Sequence, residues 1–172
     1  MTKVRRIVTA HNENGRAIVA SDDELTFVQM PGMAGWGWLD VWAADNPHFP
    51  DDGARKPVSW MFPPLGAMRF GHATIAPKTE SGFERASAES AAEDMQGSMS
   101  DRGFHRSATI DVISIVKGSC ICELDDGVKV QLNEGDTLIQ NGTIHAWSNP
   151  FDTECQMSSV MIGARNDLVE DH

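Results

Sequence analysis

Four polar residues at alternate positions, His105, Ser107, Thr109 and Asp111, run into Ile113 and Ile115 at the same spacing. Alternate residues of a strand share a face. Read as one strand over 105–115, this face has a polar end that lines the mouth of an enclosed space and an apolar end that fills its floor. A second run, Thr143, His145, Trp147 and Asn149, repeats the arrangement. If the two strands are neighbours, two imidazoles and one carboxylate converge. Two His and one carboxylate on one side of a metal form the donor set of non-haem Fe(II) sites, and they leave positions open for substrate. His105, Asp111 and His145 are thus the candidate metal ligands, and the metal could equally be Mn, Zn or Ni. Asp111, His145 and Ser107 are the candidate catalytic groups. Thr109, Trp147 and His72 are the candidate substrate contacts, His72 only if its strand turns it inward rather than leaving it a satisfied strand histidine.

These residues need strands to hold them, and the pattern supplies strands. Residues 108–117 read as a strand buried on both faces, turned at Gly118 into a strand over 119–124. Asp125-Asp126-Gly127 is a hairpin signal, and after it Val128, Val130 and Leu132 alternate with Lys129 and Gln131. Strands over 137–140, 143–149 and 154–163 follow. In the first half, strands are expected at 3–8, 17–20, 24–30, 36–43 and 68–76, and residues 45–66, with five of the eight prolines, read as a long surface loop. Residues 84–96 are rich in Ala and Glu and read as a short helical or loop excursion, either a surface loop or a lid. Many short strands separated by Gly, Asn, Asp and Pro indicate an all-β fold, an antiparallel β-barrel or jelly roll. One domain over 1–172 is expected, its barrel core at about 66–164, preceded by N-terminal strands and the Pro-rich loop in 1–65.

Composition prunes the partners. The formal net charge of -11 repels phosphate backbones and anionic lipid, so neither nucleic acid nor membrane is expected as a partner. No segment has the apolar length of a signal peptide or a spanning helix, and a cytoplasmic location is expected. The three cysteines fit a reducing compartment, where Cys120 and Cys122 serve as small buried apolar side chains. No dinucleotide-binding or phosphate-cradling glycine loop and no Gly-X-Ser-X-Gly elbow occurs. Tyrosine is absent, which removes any chemistry that needs a tyrosine base.

Over residues 105–149 the chain resembles the cupin superfamily. The first cupin motif is His-X-His, three or four residues, Glu, six residues, Gly; here it reads His105-Arg106-Ser107, three residues, Asp111, six residues, Gly118. The second reads Gly135-Asp136 through Asn141-Gly142 to His145 and Asn149. Ser107 stands where the family has its second His, and Asp111 where it has Glu. The resemblance implies a jelly roll, a homodimer and a metal site in which three of the usual four ligands survive. It also implies an enzyme acting on a small organic substrate with a carboxylate or adjacent oxygens. Decarboxylase, isomerase, lyase and dioxygenase chemistry all fit such a site. The alternatives are a non-catalytic small-molecule binder without metal, favoured by Ser107, and a metal-free cyclase or isomerase. The apolar even face of strand 108–117, with Ala108, Ile110, Val112 and Val116, needs cover and gives pairing of two chains a physical reason.

Overall fold

In the computed structural model the described residues are 3–30, 33–55, 58, 62–80 and 103–168; the expected excursion at 84–96 lies outside them. They form eleven strands and no helix. In chain order these are β1 (Lys3–His11), β2 (Ala17–Thr26), β3 (Val28–Gln29), β4 (Trp36–Ala44), β5 (Met68–Ile75) and β6 (Thr109–Lys117). Then come β7 (Ser119–Leu124), β8 (Lys129–Asn133), β9 (Thr137–Asn141), β10 (His145–Ser148) and β11 (Cys155–Gly163). The described residues of 45–66 contain no strand, as their prolines require.

Every ladder is antiparallel. A six-stranded sheet runs β3-β4-β5-β11-β6-β9, a three-stranded sheet runs β10-β7-β8, and β1-β2 is a separate hairpin. The two larger sheets face each other. Trp36, Ala73, Ile75, Ile113, Ile115, Cys155 and Met157 of the large sheet meet Cys120, Cys122, Leu132 and Trp147 of the small one in a single buried cluster. Alternation decides which side chains enter it: in β6 the odd residues from 109 to 115 are buried, whereas Ile110, Val112 and Val116 are exposed on the outer face. The three cysteines are buried free thiols, in keeping with their reading as small apolar side chains.

The sequence expectation of one continuous strand over 105–115 needs correction. His105 bridges His145 at the edge of the small sheet, whereas Thr109 pairs with Gly163 in the large sheet. One strand cannot belong to two facing sheets, so the chain crosses between them at residues 106–108 and β6 begins at Thr109. Gly118 turns β6 into β7 with φ 73°; a Cβ there would lie 2.3 Å from the Glu154 carbonyl oxygen, so only glycine fits. Among the described residues no helix is long and apolar enough to cross a membrane.

Candidate functional site

The candidate residues fall in two groups, one on each of the facing sheets. From the small-sheet side come His105 and His145. Their backbones exchange two hydrogen bonds of 2.9 Å each, His105 N to His145 O and His145 N to His105 O. This bridge sets the imidazole centroids 4.3 Å apart with planes inclined at 52°. Trp147, two residues on, meets His145 edge-on at 5.8 Å. Each imidazole is oriented by a carbonyl two residues before it. His105 Nδ1 donates to Gly103 O at 3.1 Å, and His145 Nδ1 donates to Thr143 O at 3.0 Å. With the proton fixed on Nδ1, each Nε2 keeps its lone pair as an acceptor. Burial lowers the pKa of His105 and takes His145 down to about 4, the neighbouring His105 adding to the effect. At neutral pH both rings are therefore uncharged.

From the large sheet comes Asp111. It lies on the inward face of β6 between Gln140 of β9 and Met161 of β11, and is 7% exposed. Its Oδ1 is buried and has no hydrogen-bond partner among the described residues. Desolvation raises its pKa, against a smaller opposing pull from a hydrogen bond with Thr109. Thr109 in turn shares a 2.6 Å hydrogen bond with Ser107, and both are buried. A polar wire of Ser107, Thr109 and Asp111 thus runs from the crossing between the sheets into the interior.

The ladders place further polar groups on the same inward row. Asp111 pairs with Met161 and Met161 with Arg69, and Arg69 is 4% exposed. Arg69 makes a 2.7 Å ion pair with Asp45 and donates to Met68 O at 2.9 Å. Gln140, 3% exposed beside Asp111, donates from Nε2 to Thr143 O at 2.8 Å and to the Thr143 hydroxyl. It therefore braces the loop whose carbonyl orients His145. Neither Arg69 nor Gln140 is singled out by the sequence motifs. The signal for Arg69 was its alternation with Gly71, Ala73 and Ile75, which fixes an inward position.

His72 stands elsewhere. It pairs with Ser158 and Leu39 on the face of the large sheet opposite Ala73, with Phe70 beside it at 5.5 Å between ring centroids. It is partly exposed, and burial lowers its pKa. The structure thus gathers His105, His145 and Trp147 at the small-sheet edge and Ser107, Thr109 and Asp111 along the approach to β6, and leaves His72 outside.

As donors for a metal, the two imidazoles are already oriented by the Gly103 and Thr143 carbonyls that their Nδ1 atoms meet. Among the described residues no group of three or more His, Cys, Asp or Glu side chains that could hold a metal ion is found.

No family model matches the chain. Its fold is similar to that of the Cnp3 cupin domain of Schizosaccharomyces pombe, with a TM-score of 0.53 and 8% identity over 92% of this chain and 87% of that one. The polyketide cyclase RemF of Streptomyces resistomycificus aligns with a TM-score of 0.49 and 15% identity over 80% of this chain and 72% of that one. In sequence, 51 residues are 35% identical to the oryzines biosynthesis cluster protein J of Aspergillus oryzae; the match spans 30% of this chain and 28% of that protein.

Proposed function

We propose, from the premise that the chain has the cupin jelly-roll fold, that the space between its sheets binds a small organic molecule bearing a carboxylate or adjacent oxygens and moves a proton on it. The observation that carries this reading is the buried, unpartnered Oδ1 of Asp111. A buried carboxylate oxygen without a partner is costly, by about 1–3 kcal/mol, and such a group is characteristically kept for chemistry. A carboxyl whose pKa is raised toward the working pH is suited to give and take protons.

The surrounding groups divide the remaining work. The Nε2 atoms of neutral His105 and His145 accept hydrogen bonds from substrate hydroxyl or enol groups and so orient it. Arg69, on the same inward row as Asp111, is held there by its ion pair with Asp45 and walls that end of the space. Thr109 hydrogen-bonds Asp111 and is itself held by Ser107. Asp111 removes a proton from a carbon next to a carbonyl and returns it at another atom of the same molecule, which is isomerase chemistry. Support for a metabolite-sized organic substrate comes from the short stretch of identity with a protein named for a biosynthesis cluster. The enzyme is proposed to act on a small molecule, with no role for nucleic acid or membrane.

The test is solvent-deuterium incorporation beside the carbonyl of a panel of β-keto acids and 1,3-diketones, followed by proton NMR. The protein before and after exhaustive chelation is compared with Asp111→Asn. Exchange that survives chelation and falls at least a hundredfold in the variant is expected, the usual scale for loss of a general acid–base group being about 10²–10⁴. Equal exchange by the variant, no exchange with any member of the panel, or loss on chelation with recovery on adding a divalent metal would each overturn the reading.

A further inference from the structure

Two stretches of chain connect the large sheet to the small one beside the candidate residues. Residues 106–108 lead from Thr109 of β6 back to His105, and residues 142–144 lead from Asn141 at the end of β9 to His145. The two crossings are joined at both ends, Ile110 to Asn141 in the large sheet and His105 to His145 in the small one. Regular pairing of β6 with β9 stops at Ile110 and Asn141, so the crossings themselves have to be held together by something other than a ladder.

Asn166, half-buried in the segment that follows β11, does this. Its Nδ2 donates to Ser107 O on one crossing and to Gly142 O on the other, each at 3.0 Å. Its Oδ1 accepts from Leu168 N at 3.1 Å, which fixes the way round of the carboxamide. Both amide hydrogens are thus used on carbonyls of different crossings. The segment is itself docked there, since Ala164 N donates to Ala108 O at 2.8 Å. Gly142 makes the room: its φ is 60°, and a Cβ there would lie 2.6 Å from Asn166 Nδ2 and 3.0 Å from Ser107 O.

We propose that Asn166 is a positioning residue: its carboxamide clamps the two crossings together and so fixes the His145 imidazole and the Ser107–Thr109–Asp111 row relative to each other. Its catalytic meaning rests on the proton-transfer reading of Asp111; the clamp itself rests on the hydrogen bonds alone. Gly142 directly precedes Thr143, whose carbonyl accepts from His145 Nδ1. Ser107 carries the hydroxyl that shares a hydrogen bond with Thr109. A shift of either crossing therefore moves one group without the other. Gln140 braces Thr143 from β9 but does not reach the 106–108 crossing, which Asn166 does. Small misplacements of reacting groups cost heavily in rate.

The test compares the full-length protein with Asn166→Asp, which keeps the shape but sets a carboxylate against two carbonyl oxygens. In the wild type, NMR couplings through the hydrogen bonds, from the Asn166 side-chain amide to the carbonyl carbons of residues 107 and 142, are expected. The ring ¹⁵N shifts of His145 should show a single Nδ1–H tautomer. In Asn166→Asp the tautomer signals should split or average, and kcat for deuterium exchange should fall about ten- to a hundredfold with KM little changed. Asn12→Ala is the control: it loosens the β1–β2 turn, where Asn12 Oδ1 accepts from Asn14 N and Arg16 N at 3.0 Å each, and should lower Tm without moving the His145 signals. Exchange with no substrate at all overturns the reaction assigned to Asp111, and the couplings and the tautomer still decide the clamp. The clamp is overturned by missing couplings in the wild type, which need no variant to fold. Unchanged His145 signals or unchanged kcat in folded Asn166→Asp, or equal changes in Asn12→Ala, overturn it as well.

Discussion

The imidazoles of His105 and His145 stand 4.3 Å apart, centre to centre, over a backbone bridge that their own amides make. Two rings held so closely in a buried place cannot both carry a proton cheaply. The same contact that positions them also keeps them neutral.

Acid stability follows from this. The folded pKa of His145, about 4, is below the ordinary 6.5, so the unfolded chain binds more protons between those values. The contribution of His145 is fully present above pH 6.5 and is lost as the pH falls toward 4, amounting to at most about 3 kcal/mol. His105 acts in the same direction, and Asp111, whose pKa is raised, acts in the opposite one. Urea unfolding at several pH values should show the decline below pH 6.5, and His145→Gln should flatten it. A curve of unchanged slope in the variant would mean that His145 is solvated.

Asp111 should be a liability to the fold. A carboxyl with a raised pKa destabilises the native state at pH values above its titration, because the unfolded chain ionises it freely. Asp111→Asn should therefore raise stability at pH 7 by about 1 kcal/mol, or roughly 2–4 °C in Tm, while removing activity. Differential scanning calorimetry of the two proteins decides it; a variant of lower Tm would show a carboxylate already well paired.

Gly118→Ala should destabilise by about 2–4 kcal/mol, since φ is positive there and the added methyl meets the Glu154 backbone. Denaturant titration measures it, and a loss under 0.5 kcal/mol would mean that the β6–β7 turn has room to shift.

Self-association through the outer face of the large sheet is also proposed. Ile110, Val112 and Val116 of β6, Ile139 of β9 and Ile162 of β11 are all at least 36% exposed on that face. Light scattering should give twice 18.8 kDa for the wild type and a smaller mass for Ile139→Asp. A wild-type mass of one chain at micromolar concentration would contradict it.

Strand positions were legible because alternation is a local signal: the buried odd residues of β6 are those that the sequence assigns to one face. Where the strand begins was not, because His105 chooses between partners in two facing sheets, His145 in one and the β11 side of the other, and no local pattern encodes that choice. Arg69 and Gln140 join Asp111 only through ladders whose partners are remote in sequence. The inward reading of His72 depended on the parity of a strand whose neighbours Ala73 and Ile75 occupy the core side instead.

Asp111 is proposed to be a buried, proton-carrying carboxyl inside the jelly roll, and the ionisation of that carboxyl decides it. The measurement is a ¹³C NMR titration of the Asp111 carboxyl carbon, assigned by its disappearance in Asp111→Asn. A midpoint clearly above the ordinary aspartate value of 3.8 is expected, moving on addition of any substrate found in the exchange panel. A midpoint at or below 3.8 would show a solvated or ion-paired carboxylate and contradict the account.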